Sequence, residues 1–178
     1  TWNVKTNSAS GYTLKLTSST APAMKDGTKV VNNFATGSST VDANTPGTWD
    51  VTSGKAEFGY SGYGTDTVTA TWGSGSSCGS SHTANSALKY APLSTTAPST
   101  SLATRTASTT TSGVDTVVCY AVEQDTAYIA SGTYTATVTA VTYYSCVLTC
   151  SAQSDTSAAV MISMNPFYNC YCSTGLGG

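Results

Sequence analysis

The residues of this chain that can do chemistry are one histidine, nine carboxylates and six cysteines. The histidine, His82, lies in a Ser/Gly-rich stretch four residues after Cys78. A Ser–His–acid relay needs an imidazole held against a nucleophile, and no G-x-S-x-G elbow accompanies His82. A histidine in such a loop reads as solvated. The acids are Asp26, Asp42, Asp50, Glu57, Asp66, Asp115, Glu123, Asp125 and Asp155. Glycoside hydrolysis needs two carboxyls positioned around one bond. Most of these acids stand at strand ends and turns, where Asp caps nearby backbone groups. Glu123 and Asp125 fall on one strand face and would suit a shared acid site or a calcium ion; the plainer reading is a solvated strand end. Gly73–Gly79 is glycine-rich but lacks the Lys-Ser/Thr that completes a phosphate-cradling loop. The expectation is no catalytic residue, no cofactor and no enzyme activity.

The cysteines are Cys78, Cys119, Cys146, Cys150, Cys170 and Cys172. An even count in a Thr/Ser-rich chain points to an oxidising compartment and disulfides. Spacing alone leaves the connectivity open. The preferred pair is Cys78 with Cys119, each near a strand of the main body, with the other four pairing within the tail. The competing reading is a thiolate metal site from Cys146-x3-Cys150 and Cys170-x-Cys172. Zinc sites more often have two residues between paired cysteines, and His82 is distant, so no metal is expected.

Charge narrows the partners. Seven basic residues against nine acidic ones leave a net charge of −2, and charged residues make up 9% of the chain. The usual share is about 25%. Nucleic-acid binding needs clustered Lys and Arg, whereas Lys5, Lys15, Lys25, Lys29, Lys55, Lys89 and Arg105 are scattered. Nucleic acid and anionic membrane are excluded on this ground. No stretch approaches the ~18 consecutive apolar residues of a membrane-spanning helix. The opening Thr1-Trp2-Asn3-Val4 reads as the start of a mature, processed chain.

So little charge on a soluble surface implies glycosylation or a natural state that is an assembly. No Asn begins an N-x-Ser/Thr acceptor, which leaves O-linked sugar on the Thr/Ser runs. Eleven tyrosines and three tryptophans would build a sugar-stacking platform if they shared one exposed face. Trp2, Trp49 and Trp72 instead occupy the apolar phase of their segments, which reads as core. Tyr60, Tyr63, Tyr143, Tyr144, Tyr168 and Tyr171 are less constrained, and tyrosine is common at protein interfaces. The Thr-x-Thr alternation at 67–71 and 133–139 would match an ice lattice if it were long and regular; it reads better as the solvent face of strands.

The elements that must carry these residues are strands. Apolar residues recur with period two at Trp2/Val4, Tyr12/Leu14/Leu16, Phe58/Tyr60, Val68/Ala70/Trp72 and Val118/Tyr120/Val122. The run 133–142 is the longest alternating segment. Turn signals separate these runs at 8–11, Asp26-Gly27, Pro46-Gly47 and Ser131-Gly132. The stretch 87–112 shows little alternation and reads as a surface excursion with one short strand near 88–91. No window reads as a helix. Evenly spaced short strands predict an all-β fold, an antiparallel β-sandwich of jelly-roll or Ig-like type, over residues 1–142. Residues 143–178 form a Cys-rich C-terminal extension with one further strand at 158–164, where Val160, Ile162 and Met164 share a face.

Three passages carry a resemblance: WNVKTNSASGYTL at 2–14, FGYS at 58–61 and SGTYTATVT at 131–139. Together they resemble secreted prokaryotic β-sandwich surface proteins. Their style is similar to subunits of extracellular fibres such as TasA/camelysin-type biofilm fibres and archaeal bundling pili. The resemblance covers residues 1–142 and leaves the tail without a counterpart. It implies an extracellular structural protein that forms a filament or pilus with copies of itself, head to tail, by donor-strand complementation. In that mode one subunit's extended segment fills an open edge in the next. The implied donors are the tail strand, with Val160, Ile162 and Met164 as plugs, or the N-terminal Trp2 and Val4. The alternative is an adhesive domain that binds surface glycans.

Overall fold

The computed structural model describes residues 1–35, 41–80, 83–126 and 128–144, together with the strand backbones Val147–Cys150, Gln153–Thr156 and Val160–Ile162. In chain order the first strands are β1 (Trp2–Val4), β2 (Tyr12–Ser18), β3 (Lys25–Asp26), β4 (Lys29–Val30), β5 (Asn32–Asn33), β6 (Gly47–Thr48) and β7 (Ala56–Gly64). A single helical turn, α1 (Thr69–Trp72), follows. Then come β8 (Gly79–Ser80), β9 (Thr83–Ala84), β10 (Lys89–Tyr90), β11 (Ala103–Arg105), β12 (Val114–Gln124), β13 (Val138–Tyr144), β14 (Val147–Cys150), β15 (Gln153–Thr156) and β16 (Val160–Ile162). The protein is all-β.

Two four-stranded sheets dominate, ordered β1-β12-β7-β5 and β11-β2-β13-β16. Most pairings are antiparallel; β5 departs from the expected order by running parallel to β7. The alternation at Tyr12, Leu14 and Leu16 does what period two demands. These side chains are buried, while Thr13, Lys15 and Thr17 on the other face are half-buried. One apolar cluster takes side chains from both sheets: Leu16, Val138 and Ala140 from one, Phe58, Tyr60 and Val118 from the other. Full burial, as at Leu16 and Phe58, stabilises the fold by roughly 1.5–3 kcal/mol per side chain of that size.

β7 is buried on both faces from Ala56 to Gly62. Phe58 and Tyr60 face the shared cluster, and the opposite face meets a second cluster of Phe34, Val41, Leu88 and Tyr90 with half-buried Trp49. Gly59 explains how that second layer comes so close. A Cβ there would stand 2.9 Å from the Phe34 Cβ and 3.1 Å from the Ala91 carbonyl oxygen, so a side chain would push the layer off.

Three local expectations are corrected. The run Val68, Ala70, Trp72 is not a strand but the turn of α1, in which Trp72 N–H donates to the Val68 carbonyl at 2.9 Å. Coiling the chain there drives Trp72 into the core against Tyr60, at a ring separation of 5.1 Å. Tertiary burial of one large ring overrides the β-propensity of its Thr neighbours. The stretch 87–112 is no surface excursion, because Leu88, Tyr90, Ala91, Leu93, Leu102 and Ala103 are buried and it supplies β10 and β11. Its strands are only two and three residues long and Leu93 and Leu102 lie outside them, so the buried residues carry no sustained period. Finally, the longest strand is β12, while 133–142 becomes strand only from Val138 and before that touches Lys25 through one bridge at Thr135.

Candidate functional site

The acids that sequence alone would pair are kept apart by separate donors. Glu123 accepts a hydrogen bond from Trp49 Nε1 at 2.6 Å. Asp125 accepts from the Gly54 N–H at 2.7 Å and from Thr126 Oγ1 at 3.3 Å. The backbone donors of Gly54 and Thr126 hold the Asp125 carboxyl below its ordinary value. Both acids therefore clamp the segment 49–55 to the end of β12. Among the described residues no group of three or more His, Cys, Asp or Glu gathers as metal ligands would. His82 lies outside the described residues.

Asp66 forms the best-built polar network. Its carboxylate accepts from Tyr12 Oη at 2.9 Å and from Arg105 Nη1 at 3.2 Å. Arg105 Nε also donates to the carbonyls of Ala107 and Ser108. Burial, then the bond to Asp66, pushes the Tyr12 hydroxyl well above its ordinary value. Every partner is a backbone group or a sheet residue, so the network fixes the β11–β2 corner and the loop beyond it. Sequence reasoning missed it, since Asp66 and Arg105 are distant in the chain and share no motif.

Cys78 and Cys119 are joined, with a Cα separation of 5.2 Å. The bond ties the segment ahead of β8 to the middle of β12, where Cys119 is buried with Leu88 and Tyr90. Cys146, Cys170 and Cys172 lie outside the described residues, and only the backbone of Cys150 is described, in β14. The tryptophans make no platform. Trp72 is fully buried, and Trp49 stacks on Phe34 at 4.5 Å and meets Tyr90 edge-on at 5.2 Å.

A recess of about 210 Å³ opens beside β4 and β7, lined by Lys29, Val30, Asn32, Lys55, Tyr128 and Tyr134 among others. Lys29 is already engaged, donating to the Ser131 carbonyl at 2.8 Å. No carboxylate is among its described lining residues, so it offers no general acid and base pair.

The feature that stands out is an edge. β1 pairs with β12 only over Val114–Thr116. Along Val117–Glu123 no described strand pairs with β12 on that side. The direction of the free backbone groups follows from β7. Tyr60 exchanges both backbone hydrogen bonds with Ala91 at 2.9 Å, and the Phe58 carbonyl accepts from the Phe34 N–H at 2.9 Å. Tyr60 and Phe58 thus point their backbone away from β12, and residues opposite each other in an antiparallel ladder behave alike. Their partners Tyr120 and Val122 accordingly turn N–H and C=O toward the open side. The same residues send their side chains to the face of the shared core. Tyr120 stacks over Phe58 at 6.1 Å, yet it is 48% exposed and Val122 is 57% exposed. Half-buried Val118, Ala136, Val138 and Ala140 pack against the same core.

The implied assembly residues sit close by. Val4 is buried and Trp2 half-buried in a cluster with Tyr12, Leu14 and Ala103. The backbones of Val160 and Ile162 pair with Tyr144 and Thr142 of β13. Met164 lies outside the described residues. Comparison with family models, with curated proteins and with solved structures returns no match to this chain. What fold and site define is a disulfide-bonded all-β protein with a strand edge that is unpaired among the described residues.

Proposed function

We propose that this chain is a β-sandwich structural subunit of an extracellular filament or pilus, and that it polymerises head to tail by donor-strand complementation. The observation that carries the reading is the edge Val117–Glu123 of β12, with Tyr120 and Val122 exposed on its core-facing side. An edge of free N–H and C=O groups beside apolar side chains is a template for one more strand. Adding that strand satisfies the backbone and covers the two side chains at once. A contact between unlike surfaces need not close on itself and so propagates. The Cys78–Cys119 bond suits an oxidising extracellular setting, and a net charge of −2 spread over 178 residues puts little repulsion between stacked copies.

The test is negative-stain electron microscopy of the purified full chain over a range of concentrations, alongside light scattering. Filaments of uniform width are expected. A uniform monomer at every concentration overturns the reading and turns attention to glycan binding.

A further inference from the structure

Resting on the filament reading, we infer that the strand seated on Val117–Glu123 is the 158–164 segment of a second copy, not the N-terminal β1.

The first ground is what each candidate would leave behind. Withdrawing β1 would uncover buried Val4 and open the cluster that includes Tyr12, Leu14 and Ala103. β16 lies at the rim of its sheet, where its backbone pairs with Thr142, Tyr143 and Tyr144. β1 is a three-residue edge ladder too, so what sets it apart is the burial of Val4.

The second ground is fit. The open edge spans Val117 to Glu123, the length of an AAVMISM segment at 158–164. In that segment Val160, Ile162 and Met164 recur with period two, the spacing of Val118, Tyr120 and Val122 on the receiving strand. A paired strand places its alternate side chains next to those of its partner on the same face, so three apolar plugs would meet the three apolar residues of the edge. The sequence around Trp2 offers only two, Trp2 and Val4, before Lys5. No Lys or Arg follows Arg105, so the donor brings no basic charge to an apolar seat.

The third ground is position. β1 occupies the upper part of the same β12 edge through Trp2–Val4. The receiving strand thus keeps its own β1 while the donor fills the length below it, and the two need not compete.

The experiment places a photo-crosslinking residue, p-benzoylphenylalanine, at Met161, whose backbone faces Tyr143 in the isolated chain and whose place in the alternation is off the plug face. Light and heavy isotope-labelled full-length chains are mixed before assembly, irradiated and mapped by mass spectrometry. Crosslinks between light and heavy chains that land on 116–124 are expected. Filaments whose Met161 crosslinks stay within one chain, at β13, overturn this inference and leave the filament reading standing. So do filaments in which 116–124 is reached only by residues 1–6 of another copy, read from a second probe at Asn3. Absence of filaments under every condition overturns both.

Discussion

Tyr60 and Tyr120 stand directly opposite each other across the β7–β12 ladder. Tyr60 is 1% exposed and packs on Trp72, while Tyr120 is 48% exposed although its side chain lies on the same face. One core-facing layer therefore runs from sealed to open within a single strand spacing. The next strand on that side is missing from Val117 onward among the described residues.

That gradient separates assembly from folding. Val122→Lys replaces an exposed side chain, so the thermal midpoint of the monomer should hardly move; surface changes of this kind stay within about 0.5 kcal/mol. The same substitution puts a charge where the incoming strand must bury its plugs, and filament formation should fail. Electron microscopy and calorimetry on the same sample check both halves. A large fall in stability without loss of filaments would contradict the assignment.

Trp72→Ala tests the opposite end of the gradient. Trp72 is fully buried, and its Nε1 donates to the Ser101 carbonyl at 2.8 Å. Removing the ring leaves a cavity beside Tyr60 and an unpaired carbonyl, at a cost of about 3–5 kcal/mol. Denaturant unfolding of the monomer reads this directly.

The Cys78–Cys119 bond closes a loop of sequence separation 41, for which chain entropy predicts a stabilisation of about 4 kcal/mol. The double variant Cys78→Ala/Cys119→Ala should lose most of this, with protease cleavage appearing first between 73 and 88. Urea midpoints and limited proteolysis measure the two effects.

Alkaline pH should unfold the protein through its tyrosines. Burial pushes the Tyr60 hydroxyl above its ordinary value of 10.0, with Tyr120 adding to the effect, and burial raises Tyr90 as well. A group whose folded value is raised contributes its stability fully below the unfolded value and loses it as the pH climbs past that point. The stability these rings supply is thus intact below pH 10 and drains away above it. Tyrosinate absorbance followed together with circular dichroism should show these rings ionising only as the sheets melt. Ionisation of all tyrosines near pH 10 in a still-folded chain would contradict their burial.

The amphipathic strands were legible because each obeys a local rule. Tyr12, Leu14 and Leu16 alternate, and β2 buries them in that order. Cys78 and Cys119 were the preferred pair on strand proximity, and they are joined. Trp72 shows where the rule ends: its run has the strand period, but the side chain has a deeper place to go by coiling. Leu93 and Leu102 are core residues without any period, because they lie outside the strands, where backbone turns side chains inward at no fixed interval. Asp66 and Arg105 meet only because the chain at 66–67 docks on β11, through the Thr67–Ala103 bridge and the Thr104 N–H donating to the Asp66 carbonyl.

By itself, then, the sequence determined the all-β class, the low-charge surface and the apolar phase of strands such as β2 and β7, since hydrophobic alternation and turn residues act over a few positions of chain. Only the tertiary structure decided which edge is open among the described residues. Val118, Tyr120 and Val122 alternate in the sequence just as Tyr12, Leu14 and Leu16 do. Whether such a strand is sealed depends on which other strand lies next to it, and β1 ends its pairing at Thr116. Strand neighbours are chosen by contacts between residues far apart in the chain, where no local pattern is written.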